Sequence, residues 1–205
     1  MSGSEASRGA PTLLLVPTEL ERRKLEELGG FPHGLALVET CGFGPIAAAA
    51  RTAALLTDLR PARVVLIGIA GSYDPVRHAV GTAAWCRSVA IDGLETHGFE
   101  QAPGIGERLE LAPSRPPDRV AELLLTVSAP SRSAGDADAR RRRFGDAALE
   151  DMEGFGVALA CALGEVPLRI VRGVSNVAGD GSRERWRIAD ALAAARAEAI
   201  GLLER

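Results

Sequence analysis

Arg63-Val-Val-Leu-Ile-Gly68 is an unbroken apolar run rich in β-branched residues. Such a run marks a central strand buried on both faces, as in a parallel sheet covered by helices. It passes into Ile69-Ala-Gly71, where glycine either serves a turn with positive φ or lets a ligand come close to the backbone. On its N-terminal side, Leu13–Val16 reads as a short strand closed by Pro17. Thr18–Leu28 reads as a helix ended by Gly29-Gly30, Leu35–Glu39 as a strand, and Ile46–Leu59 as an Ala-rich helix stopped at Pro61. Downstream, Thr82–Ile91 and Leu123–Ser128 are strand candidates, the second followed by a Ser/Ala/Gly/Asp loop. Asp151–Leu163 reads as helix, Leu168–Val174 as strand and Arg183–Leu203 as a closing helix. In that last segment Ile188, Ala191, Leu192, Ala195, Ala199 and Leu202 fall on one apolar face. Strands alternating with helices predict an α/β protein with helices on both faces of a sheet. Ligands in such folds bind at the C-terminal ends of strands. That points to five segments: Thr18–Glu21, Cys41–Gly44, Gly68–Tyr73, Asp151–Gly154 and Ser175–Asp180.

The chain has 205 residues, enough for one domain that buries roughly 70% of its unfolded surface without a metal or disulfide staple. We expect a loose tail over 1–11, a single domain over 12–205, and a Pro/Gly-rich excursion over 103–117 beside the site. Hydrophobic residues make up 46% and charged residues 25%, and the net charge is −3, so the chain lacks the basic surplus of a dedicated nucleic-acid binder. No apolar run reaches the roughly 18 residues of a membrane span, and the first ten residues carry no signal-peptide pattern. A cytoplasmic location is the expectation. Cys41, Cys86 and Cys161 are far apart, without CxxC or Cys/His spacing. They predict small buried residues and no metal site.

Several polar positions admit both a structural and a chemical reading. Thr18-Glu-Leu-Glu21 has the spacing of a capping box, which by itself accounts for Glu21. The alternative is a carboxylate at a strand end that activates water. Asp151-Met-Glu153 are acidic residues in a first helical turn, favoured there by the helix dipole, or a carboxylate that grips sugar hydroxyls. Ser175 and Asn176 are turn residues, or groups shown to a ligand. Gly42-Phe-Gly44 precedes a helix and could hold an anion at its N-terminus. Arg140–Arg143 reads as a solvated helix face or loop, and His33, His78 and His97 as surface or loop residues.

Taken in order, Val16-Pro-Thr-Glu-Leu-Glu21, Gly42-Phe-Gly-Pro-Ile-Ala-Ala-Ala49, Ile67-Gly-Ile-Ala-Gly71, Asp151-Met-Glu-Gly154 and Arg172-Gly-Val-Ser-Asn176 resemble the nucleoside phosphorylase/nucleosidase superfamily. The Met-Glu-Gly segment followed about 20 residues later by Arg-x-x-Ser-Asn is specific in combination. Gly-Ile-Ala-Gly, Asn176 in place of the Asp of adenine nucleosidases, and Trp186 with Arg183 bring the chain nearest to the futalosine hydrolases of menaquinone biosynthesis. The resemblance implies a three-layer αβα fold with a mixed, twisted central sheet. It implies hydrolysis of an N-glycosidic bond without a cofactor or metal, a small nucleoside as partner, and a homo-oligomer. Other purine nucleosidases, of the methylthioadenosine/adenosylhomocysteine type, and purine nucleoside phosphorylases are the alternatives.

By the same resemblance Glu21 activates water, Met152 and Glu153 hold the ribose, Ser175 and Asn176 meet the purine, and Ala70 and Gly71 lie at the base-binding strand end. Asn176 adds a chemical argument: an amide offers N–H donors to O6 and N7 of hypoxanthine, whereas a carboxylate would face O6 acceptor to acceptor. An amide is no general acid, so the leaving base takes its proton from water or from a neighbour such as Asp180. The chain departs from the superfamily in two places. Phe155-Gly156 stands where two small residues are usual, with Phe155 either conserving volume or entering the site. Gly181-Ser182 replaces an expected Arg-Asp, leaving Arg183 as the substitute.

Overall fold

The computed structural model describes residues 10–94, 106–111 and 119–204. Its elements are β1 (Thr12–Val16), α1 (Glu19–Glu27), β2 (Leu37–Thr40), α2 (Pro45–Leu59), β3 (Arg63–Ser72), β4 (Ala83–Ile91) and β5 (Arg108–Glu110). They continue with β6 (Val120–Thr126), α3 (Ala134–Arg143), β7 (Ala147–Asp151), α4 (Gly154–Leu163), β8 (Leu168–Val177), a 3₁₀ turn (Arg183–Arg185) and α5 (Ile188–Leu203). Residues 1–9 of the expected tail, His97 and most of the 103–117 excursion lie outside the described residues.

The strands form one mixed sheet with β3 at its centre. β3 pairs parallel with β1 and β8 and antiparallel with β7. β4 joins β8 antiparallel and β6 parallel, and β6 joins β7 parallel. Thus β3, β8, β4, β6 and β7 pair in a closed circuit, and β1, β2 and β5 lie outside it. Strand periodicity sorts the side chains between two helical layers. Leu13, Leu15, Val64 and Leu66 face α2 and α4, while Leu14, Val16, Val65 and Ile67 face α1 and α5. The apolar face expected on the closing helix is buried through Ala191, Leu192, Ala195, Ala199 and Leu202.

Three elements depart from the sequence reading. The closing helix begins at Ile188, preceded by the 3₁₀ turn. Asp151 ends strand β7 instead of opening a helix, which starts at Gly154. The expected loop after β6 contains α3, which buries only Ala137 and so has no apolar stripe to announce it. It is held by the Ser133 cap, whose hydroxyl accepts from the Asp136 N–H at 3.1 Å, and by four arginines at its dipole-negative end. The strand β3 also runs past Gly68 to Ser72, so the segment 68–71 is extended chain and neither glycine needs a positive φ.

Candidate active site

The C-terminal ends of β3, β7 and β8, the segment after β6, the start of α1 and the turn before α2 surround a cleft enclosing about 720 Å³ including its open mouth. Glu21, Ala70, Gly71, Met152, Glu153, Ser175 and Asn176, the seven positions expected at the site, all line it.

Glu21 sits one turn before Leu25, and these two are the buried residues of α1. That spacing turns its carboxylate inward. Thr18 does cap the helix, its hydroxyl accepting from the Glu21 N–H at 3.2 Å. The Thr18 backbone N–H also acts on the Glu21 carboxylate, as in a capping box. In addition, Oε2 of Glu21 accepts from the Thr18 hydroxyl at 2.7 Å and Oε1 from the Ile69 N–H at 3.1 Å. Burial pushes its carboxyl up from the ordinary value, against those hydrogen bonds and the charge of Arg172. A carboxylate made more basic in this way is suited to take a proton from water.

Glu153 stands at the start of α4 and reaches the start of α2, where the Gly44 N–H donates to its Oε1 at 3.1 Å. The anion expected at the Gly42–Gly44 turn is therefore the chain's own carboxylate. Burial, then the adjoining Asp151, raise the Glu153 carboxyl to about 7, with Arg172 opposing. Asp151 is held by the Thr126 hydroxyl at 2.7 Å and caps α4 by accepting from the Gly154 N–H at 2.8 Å. Phe155 is buried in the core and does not line the cleft. Its neighbour Gly156 is small because a Cβ there would stand 2.1 Å from the Pro45 carbonyl oxygen.

Arg172, which heads the Arg-x-x-Ser-Asn motif and was given no role there, joins these carboxylates. It is wholly buried, bonded to Asp151 and 3.7 Å from Glu153 Oε2, while its Nε and Nη1 have no partner among the described residues. Burial opposes its charge, but Asp151, Glu153 and Glu21 outweigh that and strengthen its hold on the proton. Gly68 makes room for it: a Cβ there would lie 2.1 Å from Arg172 Nη1 and 3.0 Å from Glu21 Oε1. The two groups thus share one side of the β3 backbone. A visible signal existed, since an arginine inside an apolar strand must find buried partners. Three carboxylates around one guanidinium leave an excess of negative potential at this end of the cleft, suited to a cationic sugar.

At the other end the register between β3 and β8 slips. Ala70 pairs with Val174 and Gly71 with Asn176, so Ser175 is the extra residue of a bulge. Bulges re-aim side chains beside functional sites. Here Nδ2 of Asn176 donates to the Val177 carbonyl at 2.9 Å, and Oδ1 is 2.7 Å from the Ser175 hydroxyl, which donates to it. A carbonyl only accepts, which fixes which end of the amide is NH₂. One N–H is left for the cleft.

The mouth is bounded by Leu20, Phe43, Trp186 and Arg183, whose guanidinium lies 5.8 Å from the Trp186 ring centroid. Asp180 does not line the cleft. Hydrogen bonds from Arg185 and the Ser182 N–H hold its carboxyl below the usual range, so it cannot deliver a proton to a leaving base. His78 lies in the loop between β3 and β4, where it is buried with Nδ1 unpartnered among the described residues, while His33 is exposed. The three cysteines are free and buried. Among the described residues no group of three or more His, Cys, Asp or Glu side chains is placed to hold a metal ion. No described helix is long and apolar enough to cross a membrane.

The phosphorylase superfamily model matches residues 28–205. The futalosine hydrolase of Streptomyces coelicolor is 38% identical over 91% of this chain and 85% of its own length. That of Thermus thermophilus is 34% identical over 89% of this chain and 90% of its own. Among solved structures, a methylthioadenosine/S-adenosylhomocysteine nucleosidase from Colwellia psychrerythraea in complex with adenine superposes with a TM-score of 0.81. It covers 96% of each chain at 21% identity, a likeness of fold. The mixed α/β sheet, the cleft at its strand ends and these relatives lead to one conclusion: the chain belongs to the phosphorylase superfamily and is a purine nucleosidase, an enzyme that cleaves N-glycosidic bonds.

Proposed function

We propose that the chain hydrolyses the N-glycosidic bond of futalosine, releasing hypoxanthine and dehypoxanthine futalosine in menaquinone biosynthesis. The observation that carries this reading is the locked amide of Asn176, which offers a donor where a 6-oxopurine presents acceptors and adenine presents an amino group. The futalosine hydrolases at 38% and 34% identity support it.

In the proposed reaction the base departs as the C1′–N9 bond breaks, leaving positive charge on the ribose. Glu21 takes a proton from water, which adds to C1′ from the face opposite the base. Arg172, buried beside Glu21, opposes the effect of burial and favours the charged form of that carboxylate. Glu153 accepts from the ribose hydroxyls and, with Asp151, balances the developing cation. Met152 packs on the sugar. Ala70, Gly71 and Ser175 floor the base site, and the free N–H of Asn176 stabilises negative charge on the departing purine, which takes its proton from water. A phosphorylase would need a cationic anion site. Arg22 is half-buried and paired with Glu19 and Glu26 instead, and Arg183 at the mouth is, among the described residues, the one arginine lining the cleft.

Incubating the protein with futalosine, inosine and methylthioadenosine, and separating free bases by chromatography, tests the reading. Hypoxanthine from futalosine is the expected product, and adenine release with futalosine untouched would refute it. The reading includes a homo-oligomer. Phe43 is 66% and Ile46 85% exposed near the mouth, and sedimentation should find more than one copy per particle.

A further inference from the structure

Glu150, on β7 beside Asp151, also lines the cleft, yet it takes no part in the chemistry above. It pairs with Gly71 in the sheet, and Gly71 in turn pairs with Asn176. The three therefore form a row across β7, β3 and β8. A Cβ built on Gly71 would lie 3.3 Å from Asn176 Nδ2 and 3.3 Å from Glu150 Cγ. An amide donor and a carboxylate thus flank the same empty volume on one side of the sheet.

The carboxylate is held firmly. Its Oε2 accepts from the Tyr73 hydroxyl at 2.7 Å and the Ser131 hydroxyl at 2.7 Å, with Arg140 Nη1 at 3.4 Å. Burial, and then Glu150 itself, push the Tyr73 phenol up, so Tyr73 remains the donor. Arg140 belongs to the four-arginine run, and it is tied in turn to Asp92 at 3.0 Å. One arginine of that run thereby supports a cleft residue. Among the described residues Oε1 of Glu150 has a single partner, the Ser131 N–H at 3.0 Å. A carboxylate oxygen accepts two hydrogen bonds, so Oε1 keeps a lone pair. Glu150 is only 3% exposed and is among the residues lining the cleft.

We propose that Glu150 is a specificity-determining residue that accepts the N1–H of the substrate's 6-oxopurine while Asn176, across Gly71, donates to the adjacent O6. This inference rests on the reading of the substrate as a 6-oxopurine nucleoside and names a second reader of the base. The two contacts match both features of that edge, one donor and one acceptor. Adenine reverses both, with an amino donor at position 6 and a bare acceptor at N1. It would meet donor with donor and acceptor with acceptor. Rejection would then come from two mismatches instead of one.

Glu150→Gln tests the proposal. Futalosine and the same nucleoside carrying a 6-amino group are compared on wild type and variant. The variant should lose about 10–100-fold in kcat/KM on futalosine, mostly through KM, with no comparable loss on the 6-amino compound. Equal losses on both, or none, would make Glu150 a mere anchor for the loop after β6 and overturn the proposal, with futalosine cleavage by wild type left standing. Wild type that cleaves no 6-oxopurine nucleoside would remove both the substrate reading and this one. A second measurement needs no variant. As N1 of futalosine loses its proton at alkaline pH, wild-type KM should rise for futalosine but not for the 6-amino compound. A futalosine KM flat across that range would overturn the proposal even if Glu150→Gln fails to fold.

Discussion

Asn176→Asp changes one atom pair and should move both stability and specificity. In the native site Nδ2 donates to the Val177 carbonyl at 2.9 Å, with the residue 6% exposed. A carboxylate would set an oxygen against that carbonyl, losing a hydrogen bond worth about 1 kcal/mol and leaving its own buried oxygen unpaired at about 1–3 kcal/mol, while the carbonyl keeps the Asp180 N–H at 3.0 Å. Protonation of the introduced carboxylate would restore the donor. The variant should therefore lose about 1–3 kcal/mol at pH 8 and less at pH 5, because its carboxyl would be raised in the folded state and its stabilisation lost as pH rises through that value. Urea titrations at the two pH values measure this. The same swap turns the donor facing O6 into an acceptor, a mismatch of about 1–3 kcal/mol in a desolvated site, so the preference for futalosine over its 6-amino analogue should shrink by about 10–100-fold. Competition between the two substrates in one tube gives the ratio directly. An active variant with an unchanged ratio, or with equal stability loss at both pH values, would refute the reasoning.

Two further substitutions probe the sugar end. Glu153 is raised from 4.5 to about 7 by burial and Asp151, so between those values the folded chain binds more protons than the unfolded one. Wild-type stability should fall as pH climbs from about 4.5 to about 7, and Glu153→Gln should flatten that slope in denaturant titrations. Activity should run the other way, with wild-type kcat/KM rising with pH toward a plateau above about 7 as the carboxylate forms, and Glu153→Gln should lack that limb and lose at least ~100-fold in kcat. Gly68→Ala places a Cβ 2.1 Å from Arg172 Nη1. It should cost about 1–3 kcal/mol and displace the guanidinium from Glu21, lowering kcat by at least ~10-fold with little change in KM in steady-state assays.

The strand–helix alternation was legible because the apolar run at 64–67, the β-branched segment at 168–171 and the helical stripe from Ile188 to Leu202 each carry a clear pattern. The elements that escaped lack such a period. β7 is five residues long and merges in sequence with the segment that opens α4. α3 buries one alanine and is held by its cap and its charges. At the cleft, motif segments brought together seven residues that fold into one wall. What motifs could not convey is pairing across the sheet. Arg172 lies in a strand expected to be apolar, and only the meeting of β3, β7 and β8 shows that three carboxylates surround it. Glu150 and Asn176 are 26 positions apart in sequence and share a face because both strands flank Gly71. The Thr18–Glu21 spacing was ambiguous for a physical reason: Thr18 caps the helix and also holds the carboxylate that turns into the cleft.

The central claim is that water, activated at Glu21, attacks a 6-oxopurine nucleoside whose sugar is held by Glu153. Turning over futalosine in heavy-oxygen water, in the presence and absence of phosphate, examines it directly by mass spectrometry of the sugar product. The account predicts hypoxanthine and a sugar carrying one heavy oxygen at C1′, formed at the same rate in either buffer and at least ~100-fold more slowly by Glu21→Gln. A sugar 1-phosphate as product, or an unimpaired Glu21→Gln, would contradict it.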